Sequence, residues 1–149
     1  MLEEMIGRKS GKVRNIIERG AVKKFVEALG DRSPLFTDEE AGKGSLYGRN
    51  IAPPTFPVTF DGGAIPGLHL PKKGLIHGEQ NYHYTRPLFV GEEVYCWKEV
   101  KGYYEKTGNF GRMGFLLVTL YGEDSSQQLL FSEERIVIIN DAARREMEA

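Results

Sequence analysis

From residue 75 to residue 139 the chain reads as one strand after another, and no other feature constrains the fold as much. Four segments, about 75 to 85, 93 to 104, 112 to 122 and 128 to 139, carry the length and the β-branched and aromatic content of strands. Arg86-Pro87-Leu88-Phe89-Val90-Gly91-Glu92 links the first two, and Gly122-Glu123-Asp124-Ser125-Ser126 forms a polar turn between the last two. Strands joined by such short links pair antiparallel, since a parallel pair needs a crossover of a dozen residues or more. The helical signals all come earlier. Helices first and an antiparallel sheet after define an α+β domain.

Ahead of this run, residues 12 to 17 read as a short first strand. Ala21, Val22, Phe25, Val26 and Leu29 recur at helical spacing and form one apolar stripe, with Gly30 as its stop. Ser33-Pro34 has the form of an N-cap with proline at the first helical position. Thr37-Asp38-Glu39-Glu40 has the spacing of a capping box. Residues 42 to 54 are rich in glycine and proline and read as loop. Residues 54 to 62 are mostly apolar, and period alone does not separate a helix from a buried strand there.

Bulk properties exclude several classes of function. The 149 residues fit a single domain over 1–149, with no repeat or low-complexity linker. A net charge of -1 without a dense basic run offers no field for nucleic acid. Cys96 is the only cysteine, so neither an intrachain disulfide nor a cysteine-based zinc site can form. No apolar window approaches the ~20 residues of a membrane span, so a cytoplasmic location is the default expectation.

The sequence Gly30-Asp31-Arg32-Ser33-Pro34-Leu35-Phe36 carries the sharpest functional signal. It resembles the active-site loop of the MaoC-like, or (R)-specific enoyl-CoA hydratase, family, which reads Gly-Asp-x-Asn-Pro-aliphatic-His. Asp31, Pro34 and Leu35 match, Ser33 stands at the Asn, and Phe36 stands at the His. The likeness continues in order through Tyr47 to Pro57, Leu75 to Gln80 and Thr85 to Glu92, and covers roughly residues 12 to 140. It is nearest the FAS1-like dehydratase, or MaoC N-terminal, type. The resemblance implies a hotdog fold, an antiparallel sheet wrapped around a central helix, and it assigns that helix to residues 54 to 62, with Pro57 in its first turn.

In that family the Asp and His of the loop move the protons of hydration or dehydration, and a backbone N–H opening the central helix holds the thioester oxygen. Here a phenyl ring replaces the imidazole. Aligning Ile51-Ala52-Pro53-Pro54 on the helix entry puts Pro54, which has no N–H, at the donor position. Asp31 is then either a turn-capping carboxylate or a surviving acid. Ser33, Phe36, Ile51, Phe56 and Phe60 are the residues expected to line an acyl cavity with Asp31 near its mouth.

His77 and Glu79, two residues apart in one strand, are expected side by side on one face, either as a polar seam or as a lining near a thioester. They are too few for a metal site. Asp61 reads as a helix stop or as the carboxylate of a hotdog thioesterase. The implied function is a component of an (R)-3-hydroxyacyl-thioester dehydratase or enoyl-CoA hydratase, a lyase subunit whose own site is degenerate and which shapes the acyl pocket of a dimer. No cofactor or metal is implied. The expected partners are an acyl-CoA or acyl-ACP and a second hotdog chain, the same or different, with residues 75 to 85 as the seam. A self-sufficient homodimeric hydratase or acyl-CoA thioesterase using Asp31, His77, Glu79 or Asp61 stays open. So does a non-enzymatic acyl-thioester-binding module.

Overall fold

A computed structural model describes residues Met1–Ala149. Its centre is a five-stranded antiparallel sheet in the order β1-β3-β4-β5-β2. The strands are β1 Val13–Ile16, β2 Leu75–Tyr84, β3 Glu93–Gly108, β4 Gly111–Glu123 and β5 Leu129–Ile139. Each expected strand is present. β3 runs four residues further than its apolar pattern, because it continues with β4 as one hairpin down to the Gly108–Gly111 pair. Phe110 lies at that hairpin's tip and is 91% exposed. β2, the strand expected at the seam, lies at an edge of the sheet.

Helix α1 spans Arg19–Leu29 and ends at Gly30, whose φ of 73° is the left-handed cap that glycine adopts without strain. Val22 and Val26 carry its burial, while Leu29 at the last turn is 56% exposed, so the working stripe is narrower than the sequence pattern. The capping box is shifted by one residue. Asp38 caps the short helix α2, Glu39–Lys43, by accepting the Glu40 N–H at 3.0 Å. Ser33-Pro34 opens no helix: the Pro34 carbonyl accepts the N–H groups of Thr37 and Asp38, which closes a turn. Helix α3, Asp141–Glu148, is capped by Asn140.

The helix expected over 54 to 62 is a single 3-10 turn, Phe56–Thr59. Pro53, Pro54 and Pro57 remove three N–H donors in five residues, and the N–H groups of Phe56, Val58 and Phe60 bond to the carbonyls three residues back, Pro53, Thr55 and Pro57, which keeps the segment to a tight turn. This turn and the segment after it cover the inner face of the sheet. Phe56 meets Phe25 and Phe60 edge-on at 5.4 and 5.6 Å, and Phe60 tilts onto Phe131 of β5. One apolar core joins α1, the 51–56 segment and the β3–β5 strands around Val94, Cys96 and Phe131. A second, formed by Met5, Ile65, Val100, Leu116 and Ile139, closes the other end. No helix is long and apolar enough to cross a membrane.

Candidate functional site

The 30–38 loop is held by its own turn chemistry. Asp31 is exposed, and its Oδ1 accepts the Ser33 N–H at 2.9 Å, an Asx turn directly after the helix cap. The Ser33 hydroxyl accepts the Leu35 N–H at 3.4 Å. Phe36 points the other way, 9% exposed, into the main core with Ile51 and Phe56. Asn50, which the sequence reading missed, is the clamp. It is buried and donates from Nδ2 to the carbonyls of Leu35 at 2.7 Å and Asp38 at 2.8 Å. Its Oδ1 accepts from Arg19 at 2.8 Å, so one side chain ties α1, the loop and the 50–52 segment together.

The residues expected to share an acyl cavity are distributed. Phe36 and Phe56 sit in packed core. Ile51 borders an open cavity of about 400 Å³, with Pro54, Tyr84 and Arg86 on its rim. Phe60 borders a different cavity of about 270 Å³. Pro54, which the resemblance aligns on the family's oxyanion donor, presents a carbonyl that accepts the Tyr84 hydroxyl at 2.5 Å.

The pairing of His77 with Glu79 on one face is corrected by a β-bulge. His77 registers with Val137 and Glu79 with Ile136, adjacent residues of β5 that face opposite ways. His77 is therefore on the inner face, while Glu79 is on the outer face with Asn81 and His83. Asp61 lies beyond the 3-10 turn and fastens the chain to β1. Its N–H and carbonyl pair with the Asn15 amide at 3.0 and 2.9 Å, and its Oδ1 accepts the Gly63 N–H at 2.8 Å. No hydrogen bond joins any two of Asp31, Asp61, His77 and Glu79.

A charged constellation that the sequence reading missed lies on the inner face of the sheet, over the 270 Å³ cavity. Tyr82 and Glu133 are register partners, as are Gln80 and Arg135. Glu133 is 0% exposed. Its Oε1 accepts from Gln80 Nε2 at 2.7 Å, from Arg135 Nε at 2.9 Å and from Arg135 Nη2. Its Oε2 accepts from no group of the protein. The signal was present: Glu133 and Arg135 fall in the same alternating set as Phe131, Val137 and Ile139, a charged pair inside an apolar face. Burial, reinforced by the Glu133 carboxylate, pushes the Tyr82 phenol up to about 12. Tyr84 is also raised, first by burial and then by Tyr82 and Glu133.

A tyrosine whose folded value is raised adds stability that is whole below its unfolded value near 10 and is lost as pH rises through the folded value. On alkaline titration followed by phenolate absorbance, Tyr82 and Tyr84 are thus expected to ionise above the ordinary tyrosine value, with stability falling between pH 10 and 12. Tyr82→Phe and Tyr84→Phe should each remove one late phenolate. Ionisation of Tyr82 and Tyr84 near pH 10 in the folded protein would contradict this geometry.

The comparisons with known proteins agree with this fold. Residues 4–132 match the family described as FAS1-like, dehydratase domain region. The chain belongs to that family, and with it to the MaoC-like hotdog dehydratases and hydratases. A UPF0336 protein of Streptomyces avermitilis is 35% identical over 99 residues, 62% of this chain. The match spans 66% of that relative, so the chain covers less than two thirds of its length. Two solved structures from Mycobacterium tuberculosis share the fold. The ChsH1-ChsH2 complex aligns with a TM-score of 0.72 at 19% identity, over 87% of this chain and 83% of that one. The HadBC (3R-hydroxyacyl-ACP dehydratase) complex aligns with a TM-score of 0.70 at 15% identity, over 90% of this chain and 96% of that one.

Proposed function

We propose that residues 1–149 act as one hotdog domain, the non-catalytic half of a cytoplasmic (R)-3-hydroxyacyl-thioester dehydratase or enoyl-thioester hydratase. The half completes the acyl-binding cleft of a second hotdog that carries the Asp/His pair, and the substrate is an acyl-CoA or acyl-ACP. The observation that carries this reading is Phe36: the side chain at the position of the base is apolar and packed in the core. Pro54 supports it independently, because the position that would hold a developing oxyanion offers no N–H.

Asp31 is accounted for without catalysis by its Asx turn. The ten-residue β2 leaves one side of its backbone ladder open, and an open edge of that length favours pairing with another chain. The two neighbours whose names describe complexes, ChsH1-ChsH2 and HadBC, support a paired assembly for this chain as well.

The experiment assigns chemistry to one half or the other. This chain is co-expressed with a hotdog that has an intact Gly-Asp-x-Asn-Pro-aliphatic-His loop and purified as a complex. Asp31→Asn is expected to leave kcat for crotonyl-CoA hydration within a few-fold, whereas Asp→Asn in the companion's loop removes it, by the ~10²–10⁴ that general acid–base catalysis supplies. A loss of that size from Asp31→Asn would place the chemistry in this chain and reject the proposal.

A further inference from the structure

We infer that the outer face of the sheet docks on the outer face of a second copy of this chain, about a two-fold axis that runs along the strands between β4 and β5. The inference is independent of the dehydratase reading, because this face lies across the sheet from the core that holds Phe36.

An antiparallel sheet with one face on a core and the other in water alternates apolar with polar residues. β4 does not. Leu116, Val118 and Leu120 point into the two cores, so Phe115, Leu117 and Tyr121 point outward. β3 extends the outer patch, with Tyr104 stacked on Phe115 at 4.8 Å and Trp97 stacked on Tyr121 at 5.2 Å. On β5, Ile136 and Ile138 stand opposite Leu117 and Phe115, and Ile76 of β2 follows, 47% exposed. None of these side chains is buried in the isolated chain. A continuous apolar face of this width marks an interaction site.

The charges at its flanks identify the occupant. One row across the sheet reads Lys101, at the β3 bulge, then Leu117, Ile136 and Glu79. A two-fold axis between β4 and β5 turns the row end for end: Lys101 of each copy meets Glu79 of the other, and Leu117 meets Ile136. The next row, Tyr104, Phe115, Ile138 and Ile76, is apolar throughout and meets itself in the same way. In the row before, Glu99 falls on Asn81 and Glu134 on Thr119, so like charges are not opposed. Within its own chain the Glu79 carboxylate accepts only the Asn81 amide, at 3.2 Å, and the second copy supplies the missing cation. The patch is thus complementary to itself, as isologous interfaces are. Aligned sheets pack face to face in this manner.

Four strands ~4.8 Å apart and four rows ~7 Å apart give a footprint of about 500 Å² per copy. The pair buries about 1,000 Å², the area at which specific interfaces begin, so it should form and separate over micromolar concentrations. The contact leaves the β2 edge free.

The test is sedimentation equilibrium of the purified chain over that range. Leu117→Glu is expected to halve the mass of the largest species, since each copy would then bury a carboxylate against Ile136 of the other. Lys101→Glu and Glu79→Lys should each weaken association by about tenfold, because the contact occurs twice per pair and turns from attraction to repulsion. The double variant restores the contact in reverse and should return to within about threefold of the natural chain. Lys101 lies three strands from the β2 edge, so pairing across that edge would not respond to it. Trp97, the single tryptophan, lies in the patch, and its emission reports the same transition. Should Leu117→Glu fail to fold, the charge exchange decides alone. A natural chain whose largest species matches that of folded Leu117→Glu, charge variants that associate as well as the natural chain, or a double variant no better than the singles would overturn the inference.

Discussion

Phe131→Ala is expected to lower stability by about 3–5 kcal/mol, the usual cost of removing a buried phenyl ring and leaving its cavity. The ring has no exposed surface, and it contacts Phe60 of the 53–60 segment and Tyr84 of β2 at centroid distances of 5.9 and 5.8 Å. Its space is made by Gly122, the register partner on β4, where a Cβ would overlap the ring. Gly122→Ala should therefore cost about 1–3 kcal/mol by overpacking. The two costs must not add. Once the ring is gone, the new methyl has room, and the Gly122→Ala penalty should shrink by about 1 kcal/mol or more. Urea unfolding of the four proteins measures this, and additive costs would mean that the ring does not depend on the glycine for its place.

The same two residues show what the sequence makes legible and what it conceals. The strands were readable because alternation and turn residues act locally, and β1 to β5 lie where the pattern puts them. Phe131 was readable as a core residue for that reason. The glycine that makes its space was not, because the need arises only when two strands are in register. The bulge between His77 and Glu79 is of the same kind: spacing of two residues promises one face, and an extra residue at Gly78 breaks the promise.

The 54–62 segment failed differently. Family likeness favoured a helix, while Pro53, Pro54 and Pro57 argued locally against one, and the local chemistry prevailed. At the candidate site, the turn role of Asp31 and the burial of Phe36 were both within reach of the residues alone. Glu133 and Arg135 were visible as charges out of place on an apolar face, but their partners Gln80 and Tyr82 lie some 50 residues away and had to be brought together by β2–β5 pairing.

Purified without a companion, the chain is expected to hydrate crotonyl-CoA at a rate lower by roughly 10⁴–10⁷ than a hotdog with both elements in place. The figure combines ~10²–10⁴ for the missing acid–base partner with ~10²–10³ for the missing oxyanion donor. Phe36 cannot regain the first role by a rotamer change, since its ring is enclosed by the core. Pro54 cannot supply the second, since its only polar backbone group is a carbonyl already engaged by Tyr84. The most direct measurement is the loss of enoyl-thioester absorbance from crotonyl-CoA with the homogeneous chain, before and after Asp31→Asn. A non-catalytic half gives no turnover above the buffer rate in either protein. Robust turnover that Asp31→Asn abolishes would show that this chain is an enzyme in its own right.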